Sequence, residues 1–451
     1  MIPVSNNKLS IQPSREIDLG AHGGAELFFA DINGDNEPEI IAYQGPAVFG
    51  ARMFRSLPHV RALFPAGECV SAFNLEGKKL WTWGKTNPPG RPYISHAYES
   101  VISIGNIEGN GRPEVAVACG DHIVILGGRT GKEKRSCSLP EDYFYQVQIL
   151  GESTGADEAA LVVKNGEFGS LKGFDGKPYP AGWDYGQPAI GLNMKLEPVW
   201  GPLAVPGAGH HVLCLDMDGD GRKDYLIGYA ALNAGGRTIW RMDDIDHDKV
   251  KAFEQHVDYT DTRLDDKGRM ILALAGSDKA YLADQSGKTI MAREDLHVQG
   301  AAIGRFLGGD TLQAAFYNAP NGPIALYDMA GEPVGRMAVE RNWPFKIPDI
   351  CRTGRFHRNR PIITLPGTHQ DWIAYADGGW PRGMDGSGDF SLVFEPPEDP
   401  CLPALGDIEI DCKAVRLDDI GFGFALKMIS FQGKNCAVIY NRRRAWLYSI
   451  P

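Results

Sequence analysis

Two acidic loops carry alternating oxygen donors that could bind a hard cation. Side-chain oxygens at every second position, followed by one further carboxylate, can wrap around Ca²⁺, and a glycine permits the sharp turn. The donors are Asp31, Asn33, Asp35 and Glu39 in the first loop, and Asp216, Asp218, Asp220 and Asp224 in the second. We expect structural Ca²⁺ in both loops; the alternative is a polar turn that binds nothing.

Histidine and tyrosine recur just before apolar segments that we interpret as first strands of a repeated unit. A ring of such side chains around one channel mouth could perform acid–base chemistry. The alternative is that each histidine only caps a loop by bonding to the neighbouring unit. The positions are His22, His96 with Tyr98, Tyr143 with Tyr145, His210 with His211, His256, His297, and Trp343 with Lys346.

Further polar residues are predicted to open on the same face. Lys164 and His369 fall in predicted connections between second and third strands, and Arg52 and Arg55 lie in an insertion that could reach the rim. Cations can hold a carboxylate, and aromatic faces can stack on sugar rings. Together these residues suit an anionic sugar.

The element that must position these residues is a repeat of four short strands. Units start near Leu27, Val101, Val147, Val212, Val257, Ala301, Ile350 and Ala425. A later turn with a fixed glycine recurs in five units, at Leu75–Lys78, Arg129–Lys132, Phe174–Lys177, Gln285–Lys288 and Met329–Glu332. Such spacing predicts an all-β propeller of about eight four-stranded blades, with seven as the alternative.

The whole chain, residues 1–451, is expected to be one domain with insertions at 46–69 and 379–412. The last unit shows only three strands, so the N-terminal segment Arg15–Leu19 is predicted to supply the fourth and close the ring.

Composition excludes several classes of partner. The net charge of −11 repels phosphate backbones, which argues against nucleic acid. No apolar stretch is long enough to span a membrane, and no signal peptide is evident. Cys119, Cys214 and Cys436 are predicted to be buried thiols, while the other five cysteines could form one or two disulfides. We expect a monomer.

The acidic loops resemble the FG-GAP repeat of integrin-type propellers. Units of the form His, strand, Asp-rich loop, Pro-Glu, strand, from His22 to Ile40 and from His96 to Val115, resemble propeller-type polysaccharide lyases. The segment His297–Gly304 also looks similar. The lyases concerned are rhamnogalacturonan lyases and those acting on rhamnose–glucuronate linkages. This resemblance implies β-elimination at a uronate of a polysaccharide, and we expect a secreted or extracellular protein.

The resemblance implies three roles, which we assign as a hypothesis. His211 or His256 would be the base, with His96, His210 and His297 as further candidates. Tyr145 or Tyr98 would be the acid. Lys164 with Arg52 or Arg55 would neutralise the carboxylate, and Tyr143, His22, Trp343 and His369 would contact the glycan.

Two other functions remain open. One is a non-catalytic carbohydrate-binding or adhesion propeller. The other is a glycoside hydrolase, which needs two carboxylates flanking the bond; Asp258, Asp261 and Asp278 are the available ones.

Overall fold

The computed structural model describes twelve segments of the chain, and every structural statement below concerns them. They are residues 8–23, 26–45, 69–86, 101–141, 144–151, 157–165, 183–184, 186–251, 255–319, 322–347, 360–402 and 423–451.

The described residues form eight antiparallel units of four strands; seven follow sequence order, and the eighth takes its outer strand from the N-terminal part of the chain. Short apolar runs make the inner strands, which are buried on both faces, and glycine-containing turns join many of the strands.

Sheets 1 to 4 are made entirely of consecutive strands. Sheet 1 has β3 (Glu26–Ala30), β4 (Glu39–Gln44), β5 (Cys69–Phe73) and β6 (Lys79–Gly84). Sheet 2 has β7 (Ile102–Gly105), β8 (Glu114–Ala118), β9 (His122–Gly127) and β10 (Glu133–Ser138). Sheet 3 has β11 (Phe144–Ile149), β12 (Leu161–Asn165), β13 (Ala189–Leu192) and β14 (Pro198–Leu203). Sheet 4 has β15 (Val212–Leu215), β16 (Asp224–Ile227), β17 (Ala230–Leu232) and β18 (Thr238–Arg241).

Sheet 5 begins with β19 (Tyr259–Leu264), β20 (Met270–Ala275) and β21 (Ser277–Asp284). Sheet 6 ends with β23 (Gln313–Asn318), β24 (Ile324–Asp328) and β25 (Pro333–Met337). The two sheets share the long strand β22 (Thr289–Gly304), whose first half pairs with β21 and whose second half pairs with β23.

Sheets 7 and 8 each include an N-terminal strand. Sheet 7 has β26 (Ile362–Leu365), β27 (Trp372–Tyr375), β28 (Arg382–Met384) and β29 (Leu392–Phe394), with β1 (Leu9–Ile11) parallel to β29; sheet 8 has β30 (Ala425–Phe431), β31 (Lys434–Tyr440) and β32 (Arg444–Ser449), with β2 (Arg15–Asp18) antiparallel to β32. The predicted fourth strand of the last unit is therefore confirmed, whereas β1 was not predicted. The helices among the described segments are a 3₁₀ turn (Gly20–His22) and α1 (His247–Lys251).

The hydrophobic core is divided into clusters that each lie between two successive sheets. One joins sheets 1 and 2 through residues such as Tyr43 and Val117, and the others follow in order along the chain. The eighth joins sheet 8 to sheet 1, with Val438 and Leu447 packed beside Leu27 and Ile40. Each sheet therefore buries both faces against its neighbours.

Tryptophans on fourth strands fix several of these contacts. Trp81, Trp200 and Trp240 donate indole hydrogen bonds of 2.7, 2.9 and 2.9 Å to the carbonyls of Gly128, Ala234 and Gln285. These carbonyls belong to the turn between the third and fourth strands of the next sheet. The Trp81 ring also lies against Gly131, so this tryptophan packs between sheets 1 and 2.

The repeat register differs from the sequence prediction at two places. In sheet 3 the turn between third and fourth strands is Asn193–Glu197, not Phe174–Lys177, which lies outside the described residues. There Leu196 has a φ of +67° where other turns have glycine, so the glycine rule misses it. In sheet 7 the first described strand begins at Ile362 rather than near Ile350, and residues 382–394 of the predicted insertion form β28 and β29.

All six cysteines in the described segments are free thiols. Cys119 and Cys436 are buried, Cys214 is half-buried, and Cys69, Cys137 and Cys401 are free thiols, so those three form no disulfide. Cys351 and Cys412 lie outside the described residues. No helix in the described segments is long and apolar enough to cross a membrane.

Replacing Gly131 by alanine tests the contact between sheets 1 and 2. The added Cβ would lie 2.4 Å from the Trp81 ring, and Gly131 has a φ of +62°. Overpacking costs about 1–3 kcal/mol and left-handed backbone about 1–2 kcal/mol, so we expect a loss of roughly 2–5 kcal/mol in the free energy of unfolding. Gly268→Ala is the control, because Gly268 has a φ of +73° and open space around it. Equal losses in urea denaturation would contradict the contact.

Candidate active site

The histidines of interest stand at one end of the sheets. We call it the entry end, where each first strand begins and each second strand ends, as in the pairs Val212↔Ile227 and Tyr259↔Ala275. His210 and His211 come directly before β15, while His256 and Asp258 come directly before β19. The acidic loops join first to second strands and therefore lie at the opposite end.

A glycine brings the two histidine segments together. His210 N–H donates to the Val257 carbonyl at 3.0 Å, and Val257 N–H donates to the Gly207 carbonyl at 3.1 Å. Between these contacts, Gly209 has a φ of +52°, and a Cβ there would lie 1.9 Å from the Val257 oxygen. Only glycine permits this approach, so the segments before β15 and β19 pack main chain on main chain.

The carboxylate of Asp258 holds two of the histidines. His210 Nε2 lies 2.9 Å and His256 Nε2 lies 3.4 Å from the same Asp258 Oδ1. The two imidazole rings are 5.4 Å apart in an edge-to-face arrangement. The exposed fractions of His210, His256 and Asp258 are only 2%, 1% and 2%. Asp258 Oδ2 has no hydrogen-bond partner among the described residues.

His211 points into a different environment. Its ring packs edge-to-face on Tyr259 at 5.2 Å, and its Nε2 is buried with no hydrogen-bond partner in the described part of the chain. The Arg360 guanidinium lies 4.7 Å from the centre of the Tyr259 ring. An imidazole nitrogen without a hydrogen-bond partner could act as a base once a substrate reaches it, and a guanidinium nearby can attract a carboxylate.

Lys164 is buried beneath this cluster. Its ammonium donates to Gln146 Oε1 at 2.7 Å and to the carbonyls of Asn165 and Gly209 at 2.8 and 2.7 Å. Gln146 in turn donates to the His210 carbonyl. Lys164 therefore ties sheet 3 to the glycine segment that carries His210 and His211.

Burial dominates the electrostatics of the site. It lowers the pKa of His210 to about 4, although Asp258 opposes the shift. It also lowers the pKa of His211 far below the usual range, with further lowering from His210 and Arg360. Burial lowers the pKa of Lys164 as well. Burial would raise the pKa of Asp258, but His256 and His210 hold it well below its usual range.

Two other predicted histidines lie apart from this cluster. His22 contacts Ser71, Lys79 and Thr82 on the third and fourth strands of sheet 1, at 3.3, 2.9 and 3.4 Å. His297 lies in the middle of β22, with Nδ1 3.3 Å from Ser277 Oγ. The structure thus brings together His210, His211 and His256, and not these two.

The remaining predicted site residues lie at several places. Tyr145 is buried at the entry end, where its ring covers Gly120. Trp343 packs on Phe424 at 6.4 Å within the aromatic cluster between sheets 7 and 8. The prediction that His369 opens on the entry face is wrong: it lies between β26 and β27, at the opposite end, because the seventh unit starts later than predicted. Predicted residues outside the described segments are Arg52, Arg55, His96, Tyr98 and Tyr143.

Sequence reasoning missed Arg360 and the role of Asp258. Arg360 occupies the position before the first strand of sheet 7, and a correct start of that unit would have identified it. Asp258 was considered only as a hydrolase carboxylate, yet it stands two residues after His256. Asp261 accepts the Ile303 N–H at 2.7 Å, and Asp278 pairs with Lys249 at 3.2 Å, so the three carboxylates have separate partners.

The two acidic loops share one geometry. Glu39 Oε2 accepts the Ile32 N–H and Asp224 Oδ2 accepts the Met217 N–H, both at 2.9 Å. Ligand atoms of Asp216, Asp218 and Asp224 lie within 4.8 Å of one another. Burial and the neighbouring carboxylates raise the pKa of Glu39 and of Asp224. Among the described residues no ion pair reaches any donor of these loops.

A third acidic loop, Asn106–Glu114, joins β7 to β8 at the equivalent place in sheet 2 and has fewer aspartates. Its carboxylates have a different partner. Glu114 Oε2 again accepts a loop amide, from Ile107 at 3.0 Å. Here, however, the Lys134 ammonium lies 2.9 Å from Glu108 and 2.6 Å from Glu114. A hydrogen bond from Lys134 lowers the pKa of Glu108. A lysine thus pairs with the carboxylates of this loop, whereas no ion pair among the described residues reaches the donors of the other two loops.

Comparison with known proteins gives a consistent picture. No family model matches the chain. A curated relative, rhamnogalacturonan endolyase YesW of Bacillus subtilis (strain 168), is 22% identical over 254 residues, covering 47% of this chain and 38% of YesW. The match thus spans about two fifths of that relative.

Solved structures extend the likeness to nearly the whole chain. Rhamnogalacturonan lyase YesW has a TM-score of 0.53 at 15% identity, and the exotype rhamnogalacturonan lyase YesX has 0.55 at 13%; each match covers 95% of this chain and 72% of the other. The chain is similar to rhamnogalacturonan lyases. BamB from Moraxella catarrhalis, at a TM-score of 0.51 and 15% identity, covers 97% of the chain and shares the fold as well. These structural matches establish a propeller-like all-β fold.

Replacing Lys134 by methionine tests its role as a substitute cation. Its loss leaves the buried Glu114 carboxylate uncompensated, but a third of the Lys134 side chain is exposed. We therefore expect a moderate loss of about 1–2 kcal/mol in the free energy of unfolding. Lys132→Met, at an exposed position of the same turn, should change it by less than about 0.5 kcal/mol. Similar urea midpoints for both variants would refute the role.

Proposed function

We propose that this chain is a polysaccharide lyase that cleaves a glycosidic bond at a uronate by β-elimination. The observation that carries the proposal is the His211 imidazole, with its unpaired buried Nε2, beside Tyr259 and Arg360 at the entry end. The similarity to rhamnogalacturonan lyases favours the same reaction class. We propose a rhamnogalacturonan or rhamnose–glucuronate linkage as the substrate.

The reaction has three requirements that the described residues can meet in part. A cation must neutralise the uronate carboxylate so that the C5 proton becomes acidic. A base must remove this proton, after which the electrons form the C4–C5 double bond and the C4–O bond breaks. An acid must protonate the leaving oxygen. We assign the base to His211, the cation to Arg360, and the acid to Tyr145, with Tyr98 as the alternative outside the described segments.

The same proposal gives the neighbouring residues positioning roles. Lys164 has three hydrogen-bond acceptors and is fully buried, which favours holding the Gly209 segment over touching the glycan. Asp258 would orient His210 and His256. Because only 6% of His211 is exposed, the residues that cover it must move when a glycan binds.

That burial also favours a second candidate, a non-catalytic carbohydrate-binding propeller. If the cover does not open, His211 cannot reach a substrate proton and the cluster only stabilises the fold. We further propose that the eight sheets form a closed eight-bladed ring, because their core clusters follow one another cyclically. An extracellular location and a monomeric state remain predictions from the sequence.

The His211→Gln variant tests the catalytic proposal. Loss of a general base lowers turnover by about 10²–10⁴-fold. The measurement is the ultraviolet absorbance of unsaturated uronate released from a panel of uronate-bearing polysaccharides. His297→Gln is the matched control, since it stands at the entry end outside the cluster, and its turnover should remain near wild type. Glycan binding without any unsaturated product would favour the binding module, and equal activity of both variants would exclude His211 as the base.

We also propose that the two uncompensated acidic loops each bind one structural Ca²⁺. At a free Ca²⁺ concentration 100 times the Kd, each site would add about 2.7 kcal/mol to the free energy of unfolding. The Asp224→Asn variant should lose roughly half of the calcium-dependent rise in Tm. Glu108→Gln, in the loop compensated by Lys134, should keep all of it. A Tm that does not respond to calcium or chelator in the wild type would contradict both sites.

A further inference from the structure

We propose that His210, His256 and Asp258 form a binding site for a divalent transition metal ion of the zinc type. Their three donor atoms, two imidazole Nε2 and one carboxylate oxygen, all lie within 4.8 Å of one another. They come from the ends of two neighbouring sheets, so the site exists only in the folded chain. This inference is independent of the proposed lyase activity.

The distances fit the dimensions of such an ion. Zn²⁺ binds imidazole nitrogen and carboxylate oxygen at about 2.0–2.2 Å, so adjacent ligand atoms of a tetrahedral or octahedral shell are roughly 3.0–3.5 Å apart. The two Nε2 atoms lie 2.9 and 3.4 Å from Asp258 Oδ1. A metal could therefore bind with only small movements of the side chains.

The second observation is the other carboxylate oxygen. Asp258 Oδ2 is buried and has no hydrogen-bond partner among the described residues, while both histidines converge on Oδ1. An unsatisfied buried carboxylate oxygen is costly. A cation between the three side chains would compensate the charge of the whole carboxylate, whereas the two imidazoles contact only Oδ1.

The main chain holds the ligands in place before any ion binds. The His210 N–H is fixed by the Val257 carbonyl at 3.0 Å, and the Asp258 N–H by the Ala275 carbonyl at 2.8 Å. Such preorganisation raises affinity because little order is lost on binding. Two nitrogen donors and one oxygen donor suit zinc rather than calcium, which prefers oxygen. Three protein ligands would leave a fourth position for water or a substrate oxygen, next to His211.

Cobalt is the probe that separates this site from the acidic loops. The full chain is stripped with EDTA, dialysed into excess Ca²⁺ to fill the loops, and titrated with Co²⁺ while its visible d–d absorption is followed. We expect one equivalent of Co²⁺ to bind and Zn²⁺ to displace it. X-ray absorption of the Co²⁺ or Zn²⁺ form should show two imidazole ligands.

The variants His256→Asn and Asp258→Asn should lower the Co²⁺ affinity by at least about 100-fold, since even loss of an outer partner costs 10–100-fold. The control variants His297→Asn and Asp224→Asn should keep the wild-type affinity. Circular dichroism reports whether each variant folds. If the ligand variants do not fold, the number of imidazole ligands in the X-ray absorption spectrum of the wild-type Co²⁺ or Zn²⁺ form tests the site. Wild-type Co²⁺ bound only by oxygen, no binding in excess Ca²⁺, or unchanged affinity in folded ligand variants would overturn the site.

Discussion

The structure depends on each sheet burying both faces against its neighbours. Indole hydrogen bonds from Trp81, Trp200 and Trp240 to the next sheet show how closely the units approach. Gly131, Gly236 and Gly287 stand under these rings because any side chain there would collide with them. Local hairpins thus become a single body through contacts that each sheet makes with the next. The entry-end site is built in one such crevice, from main chain that only glycine can bring together.

Burial on both faces also dictates how charge is handled. A carboxylate between sheets must have a partner, and the chain uses several kinds. Glu26 pairs with Lys427 and also accepts the Tyr440 hydroxyl, and Arg341 pairs with Asp377, with both side chains almost fully buried. Glu114 has Lys134. Asp258 differs from these, because two histidines contact its Oδ1 while its buried Oδ2 has no hydrogen-bond partner among the described residues. This unsatisfied oxygen lies in the cluster of functional interest.

Sequence pattern predicted the repeat well because the repeat is local. Apolar runs, acidic loops and turn glycines are properties of neighbouring residues, and the count of three strands in the last unit located the N-terminal strand Arg15–Asp18 beside β32. The errors came where a unit breaks the local rule. Leu196 replaces a turn glycine in sheet 3, and the late start of sheet 7 placed His369 at the wrong end. The site was harder, since the contact of Gly209 with Val257 is tertiary and has no sequence period.

The three acidic loops form a comparison within one molecule that bears on function. All three share the amide contact to the first carboxylate of the second strand, so they have the same backbone geometry there. One loop has Lys134 paired with its carboxylates, which indicates that positive charge at this place serves the fold. The cation that we propose for the other two loops would then be structural, at the opposite end from the histidines. Any catalysis would then be carried out by residues at the entry end. The fold itself requires neither the histidine nitrogen donors nor Arg360 at that end. The likeness to both rhamnogalacturonan lyases and BamB concerns the fold, and a shared fold does not by itself determine function.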